Sequence, residues 1–147
     1  MTTVAQVLKH DFTKCELNLF DSNGKETYYE TSTGFWYKSA YDTNGKRTYF
    51  EDSDGYWSKF EYDTNGNETY YETSTGYWYK KEFDSNGKET YHESSTGFWS
   101  KREFDSNGKE TYFENSNGTI RDNRPKENCN GKTVTIDGIE YELKAKK

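Results

Sequence analysis

From Phe20 to Gly118 the chain alternates short runs dense in Thr, Tyr, Phe and Trp with polar tetrapeptides that close on glycine. Two series of these tetrapeptides interleave. One is Asp21-Ser22-Asn23-Gly24, preceded by Phe20, and it recurs after Tyr41, Tyr62, Phe83 and Phe104 at a constant interval of 21 residues. The other closes at Gly34, Gly55, Gly76, Gly97 and Gly118. Asp, Asn and Ser side chains bond their own backbone two residues on, and glycine supplies the positive φ that ends a tight hairpin loop. The runs between turns have the length and composition of β-strands. Each unit therefore predicts two strands and two turns. Five strands follow the Asn-Gly turns (Lys25–Glu30, Lys46–Glu51, Asn67–Glu72, Lys88–Glu93, Lys109–Glu114), and four follow the other turns (Phe35–Tyr41, Tyr56–Tyr62, Tyr77–Phe83, Phe98–Phe104). A tenth enters near Cys15–Phe20.

Successive strand residues point to opposite faces, so neighbouring rings such as Tyr28 and Tyr29, or Phe35 and Trp36, put aromatics on both. The predicted fold is all-β: an antiparallel meander of 21-residue, two-strand repeats, forming a single-layer twisted sheet or a coiled hairpin stack with short end caps. Residues 1–19 form the N-terminal cap, where Val4, Val7 and Leu8 at helical spacing suggest a short helix over the first edge. Residues 20–120 hold the five units, and 121–130, with Pro125, form a linker. Residues 131–147 form a C-terminal cap, a hairpin turning at Asp137-Gly138 with Val134 and Ile136 facing Ile139, Tyr141 and Leu143.

Composition sharpens this picture. Of 147 residues only 29% are hydrophobic, and between Phe20 and Gly118 the one Ala, Val, Ile, Leu or Met is Ala40. An aliphatic core is excluded there. Aromatics at 18% also exclude ordinary disorder. Rings packed on rings of neighbouring strands must hold the sheet, each cross-strand pair adding roughly 0.2–1 kcal/mol. The net charge of −6 disfavours direct nucleic-acid binding. No apolar run matches a membrane span, and no secretory signal opens the sequence, which points to a soluble cytoplasmic protein. Two cysteines, Cys15 and Cys129, make no disulfide framework and are expected as thiols partly buried in the caps.

The recurring Tyr/Phe-Asp-x-Asn-Gly, with a Tyr four residues after the glycine, resembles the tyrosine-aspartate (YD, RHS-type) repeats over roughly Phe20 to Gly118. That resemblance implies hairpins that build extended spiralling sheets serving as shells or scaffolds, without catalysis. Gly76-Tyr77-Trp78-Tyr79 is more distantly similar to choline-type cell-wall-binding repeats, where aromatics of successive hairpins cage a quaternary ammonium or a sugar.

Catalytic chemistry has little to build on. His10 and His92 are the only imidazoles, and His92 stands in a slot held elsewhere by Tyr29, Phe50, Tyr71 and Phe113. No catalytic residue, metal or cofactor is expected. Glu61, Asp63, Asn65, Gly66 and Glu72 partly match a calcium loop, but the residues after them read as strand. What remains is a non-catalytic interaction protein docking an aromatic and acidic sheet onto a macromolecular partner, by analogy an inhibitor of the kind phages and mobile elements direct at host nucleic-acid enzymes. The candidate aromatic row is Trp36, Trp57, Trp78 and Trp99 with Tyr37 and Tyr79. The candidate acidic rows are Asp42, Asp63 and Asp84, and Glu51, Glu72 and Glu93, which would favour a basic protein partner. A carbohydrate or choline-like binding module and a structural spacer are the competing readings, and open sheet edges make self-association conceivable.

Overall fold

The computed structural model describes residues 2–125 and 131–144. Eleven strands form one sheet in strict chain order, each antiparallel to the next. They are β1 (Leu17–Phe20), β2 (Glu26–Glu30), β3 (Trp36–Tyr41), β4 (Arg47–Asp52), β5 (Trp57–Tyr62), β6 (Glu68–Thr73), β7 (Trp78–Phe83), β8 (Glu89–Ser94), β9 (Trp99–Phe104), β10 (Glu110–Asn115) and β11 (Ile120–Asp122). This is the expected single-layer meander. The ten expected strands are present with starts shifted by a residue or two. The eleventh was not expected: Arg121 and Asp122, read from the sequence as the start of a linker, extend the sheet instead. Ile120 pairs with Glu114 and Asp122 with Tyr112, so the backbone keeps the repeat register for three residues after the side chains have left it.

Turn chemistry explains the regularity. In each Asp-x-Asn-Gly turn the glycine amide donates to the Asp carbonyl, as Gly45 does to Asp42 at 3.0 Å, and the Asp amide donates across the loop, Asp42 to Lys46 at 2.8 Å. The Asp carboxylate closes the same loop from inside, Asp42 Oδ1 accepting from the amides of Asn44 and Lys46 at 2.9 and 2.8 Å. Gly45 sits at φ +76°, a left-handed conformation that a side chain would strain. A bulge follows on the aromatic that precedes each Asp, as between Ala40 and Tyr41. Hairpins of the second series have no such shift.

No aliphatic core exists among the described residues: the buried hydrophobics are Ala5, Leu17 and Phe113, while Glu30, Ser58, Thr73, Ser94 and Ser100 are buried polar groups. Half-buried rings supply the cohesion. At the N-terminal end a single-turn helix, α1 (Val4–Leu8), carries a capping box between Thr3 and Gln6. It docks through Ala5, whose amide donates to Glu30 Oε2 at 2.9 Å. Val7 and Leu8, which the spacing placed on the packing side, are exposed; one turn buries too narrow a stripe to include them. The C-terminal hairpin, β12 (Thr133–Ile136) and β13 (Ile139–Glu142), is a separate two-stranded sheet. Asp137 and Gly138 both have positive φ, as a type I′ turn demands, and Val134 faces Tyr141 while Ile136 faces Ile139. Its strand residues are all exposed. Cys15 is an exposed thiol rather than a partly buried one; Cys129 lies outside the described residues.

Candidate functional site

The two faces of the sheet have different chemistry. One carries Tyr29, Tyr37, Phe50, Phe60, Tyr71, Tyr79 and His92 in a nearly unbroken file. Ring centroids lie 5.1 Å apart for Tyr29–Tyr37, 5.8 Å for Tyr37–Phe50, 5.0 Å for Phe60–Tyr71 and 5.3 Å for Tyr71–Tyr79. Arg47 bridges the one gap, its guanidinium 5.1 Å from Phe50 and 5.4 Å from Phe60. Arg102 and Arg121 sandwich Phe113 at 5.3 and 4.3 Å. The Tyr37 hydroxyl donates to Glu26 and that of Tyr79 to Glu68. The bond to Glu26, with burial, pushes the Tyr37 phenol up to about 12, and burial together with Glu68 raises that of Tyr79. Such contacts, at roughly 0.5–1.5 kcal/mol per ring pair beyond area burial, make this face the glue of the sheet.

Trp36, Trp57, Trp78 and Trp99 project from the other face. Tyr37 and Tyr79, grouped with them in the sequence reading, therefore belong to the cohesive face, because adjacent strand residues point opposite ways. On the Trp face register produces a checkerboard. Each Glu of the row Glu51, Glu72 and Glu93 lies between a Lys on the preceding strand (Lys38, Lys59, Lys80) and a Trp on the following one (Trp57, Trp78, Trp99). Lys38 Nζ is 2.7 Å from Glu51 and Lys80 Nζ is 3.6 Å from Glu93. The Tyr49 hydroxyl also donates to Glu51 at 2.8 Å, and Lys38 with Tyr49 holds the Glu51 carboxyl below its ordinary range. The lysines lie beside the indoles as well: Lys59 Nζ is 5.0 Å from the Trp57 ring and Lys80 Nζ 5.5 Å from that of Trp78. The Glu row is thus largely engaged within the sheet.

The Asp row is engaged differently. Asp42, Asp63 and Asp84 all turn inward on their own loops; Asp63 Oδ1 accepts from the Asn65 and Asn67 amides and Oδ2 from the Asn67 side chain. The Asn67 side chain leads the groups that hold the Asp63 carboxyl low. These are turn-closing carboxylates, and the residues after the partial calcium motif are strand β6. Among the described residues no three or more His, Cys, Asp or Glu are gathered as a metal set.

Open space lies on the Trp face. A groove of about 490 Å³ runs beside Trp36, Tyr28 and Lys38, walled by Thr2, Thr3 and Val4. A second, of about 390 Å³, lies between Trp78 and Trp99 under Glu93. Two residue sets here escaped the sequence reading. From the second unit on, the middle Ser of the second-series turn clasps the Trp strand of the unit before: the Ser74 amide donates to the Trp57 carbonyl at 2.9 Å, and Ser74 Oγ accepts from the Trp57 amide at 3.2 Å, as Ser95 and Ser116 do with Trp78 and Trp99. The other is Arg124, whose guanidinium lies over the Tyr112 ring at 4.2 Å and binds Asp122 with Nη2 at 2.7 Å. The Ser was visible as an invariant letter of the repeat; Arg124 lies outside it and gave no signal.

Fold and faces together define an aromatic β-hairpin repeat sheet with one cohesive and one open side. No family model and no curated protein matches the chain. Among solved structures 36 chains match. One is a chain of the Photorhabdus luminescens Tc holotoxin pore, 15% identical with a TM-score of 0.49; the match covers 69% of this chain and 5% of that one. No helix among the described residues is long and apolar enough to cross a membrane.

Proposed function

We propose that the chain is a non-catalytic docking scaffold that presents its Trp face to a macromolecular partner. The observation that carries this reading is the division of labour between faces. Ring-to-ring contacts consume one side, while the other repeats half-exposed Tyr, Glu, Trp and Lys in register, with open grooves beside Trp36 and between Trp78 and Trp99. Aromatic residues that stay partly open are the usual anchors of protein interfaces. The choline-cage reading is weakened because the chain's own ammonium groups stand over the indoles. The test is affinity capture with the native chain and with a Trp57→Ala, Trp78→Ala variant of unchanged circular dichroism. The native chain is expected to retain a protein that the variant releases. Equal retention by both would remove the Trp face from the reading, and retention on choline resin would replace it.

A further inference from the structure

The two edges of the sheet are built differently. Lys38, Lys59, Lys80 and Lys101 share one position of the repeat, and Glu61, Glu82 and Glu103 hold the position two residues on. In β1 those places are taken by Leu17 and Leu19, and none of its four residues is charged. Leu17 is covered, but Leu19 and Phe20 are exposed, as are Val7 and Leu8 of α1 at the same end. Among the described residues no strand lies along the outer side of β1. An edge strand offers every second amide and carbonyl to another chain, and charge, lysine above all, is the usual protection. Here charge is withdrawn from the strand that would need it.

The far edge keeps that protection. β11 is three residues long and carries Arg121 and Asp122. The chain then turns off the edge. The Asn123 amide donates to the Thr111 carbonyl at 2.7 Å, the Arg124 guanidinium settles 4.2 Å from the centre of the Tyr112 ring, and Pro125 has no amide to offer.

We infer that β1 pairs with β1 of a second copy in a closed dimer, joining two eleven-stranded sheets into one. A twofold axis normal to the sheet sets the like strands antiparallel and keeps both Trp faces on one side. Leu17 and Leu19 lie on the Trp face opposite Glu30 and Tyr28, while Asn18 lies on the other face opposite Tyr29. Opposed residues share a face, so the axis must pass through a residue pair. Centred on Asn18, it sets each Leu17 against Leu19 of the other copy, the register in which leucine meets leucine twice. The two Asn18 side chains then face one another, and because an amide both donates and accepts, identical residues can bond across the axis. Lys81 and Arg102, at the same position in later units, would repel their own copies. The strand is thus its own complement in shape, charge and hydrogen bonding, which singles out a second copy as its occupant.

Sedimentation equilibrium of the native chain under reducing conditions tests it. A monomer–dimer equilibrium that stops at two copies is expected. Leu19→Glu reproduces opposite Tyr28 the pairing that Glu61 makes with Tyr70, and should weaken the dimer roughly tenfold. Ile120→Glu, on β11, should leave it unchanged. With both natural cysteines replaced by serine, Asn18→Cys should oxidise to a covalent dimer far faster than Leu19→Cys, because position 18 alone meets itself across the axis. The inference is overturned by a native chain that stays monomeric to its solubility limit or grows beyond two copies. Indifference to Leu19→Glu, loss of the dimer in Ile120→Glu, or equal crosslinking at the two positions overturns it as well. The Trp row takes no part in the junction, so the docking reading is decided separately, by the Trp57 and Trp78 variant.

Discussion

His92 brings a ring nitrogen into a slot that other units fill with Tyr or Phe. Among the described residues its Nε2 is buried without a partner, as is Ser100 Oγ, and the two residues face each other across β8 and β9. The equivalent pair two strands-pairs earlier is Phe50 opposite Ser58, so His92→Phe copies a combination the sheet already holds. Removing an unsatisfied buried nitrogen should stabilise the chain by about 1 kcal/mol, read as a higher denaturant midpoint. The opposite sign is expected at Gly66. There φ is +82° and an added Cβ would fall 2.8 Å from Lys46 Nζ. The lysine can swing away but the backbone cannot, so Gly66→Ala should cost about 1–2 kcal/mol in the same assay.

Between units the element that matters is a lysine clamp along the Asn-Gly edge. Lys46 donates to the Gly66 carbonyl and stands 4.8 Å over the Tyr62 ring; Lys88 repeats this with Gly108 at 2.6 Å and Phe104 at 4.9 Å. Asn67 occupies the clamp position in the third unit and reaches only to 3.9 Å from where a Gly87 side chain would begin. Asn67→Lys should restore the missing clamp over Phe83. The gain is about 0.5 kcal/mol, since an exposed cation–π contact replaces the Asn67–Asp63 hydrogen bond; thermal melting measures it. At the other edge of the molecule α1 hangs on Glu30. Burial pushes that carboxyl up, but bonds from Thr3, the Ala5 amide and the Tyr28 hydroxyl outweigh it and hold the group below its ordinary 4.5. A carboxyl depressed in the fold stabilises above its unfolded value and loses that contribution as pH falls through the folded one. Exchange protection of the Ala5 amide should therefore be constant above pH 4.5 and collapse below it, and Glu30→Gln should weaken it at every pH.

Across the whole molecule, raised phenols set the alkaline limit. Burial and Glu30 lift Tyr28 to about 12, Glu26 and burial lift Tyr37 to about 12, and Tyr56 and burial lift Tyr71 to about 12. Each favours its neutral form in the fold, so their contribution is complete below 10 and lost as pH rises from 10 through 12. Loss of sheet ellipticity together with tyrosinate absorbance in that window is the expected result; a sheet unchanged at pH 12 would contradict it. The strands, both turn types and the alternation of faces could be read from the chain because turn residues and the period of two act locally. Whether a carboxylate is open depends on its cross-strand neighbour. Glu51 and Glu61 look alike in sequence, yet register gives Glu51 the ammonium of Lys38 and leaves Glu61 beside Tyr70. The docking of α1 on Glu30 has a similar origin: Leu17 stands where later strands have Lys38 or Lys80, so the buried carboxylate takes an amide in place of a cation.

Eleven strands in unbroken alternation have one more effect. Because the count is odd, β1 and β11 point the same way. Copies filed head to tail by translation alone could not prolong the zigzag: each junction would be a seam of co-directional strands, whose slanted bonds hold slightly less per residue, and an antiparallel junction would turn every second copy over and set the indole side beside the ring-packed one. The molecule's polarity thus works against growth by simple end-on addition.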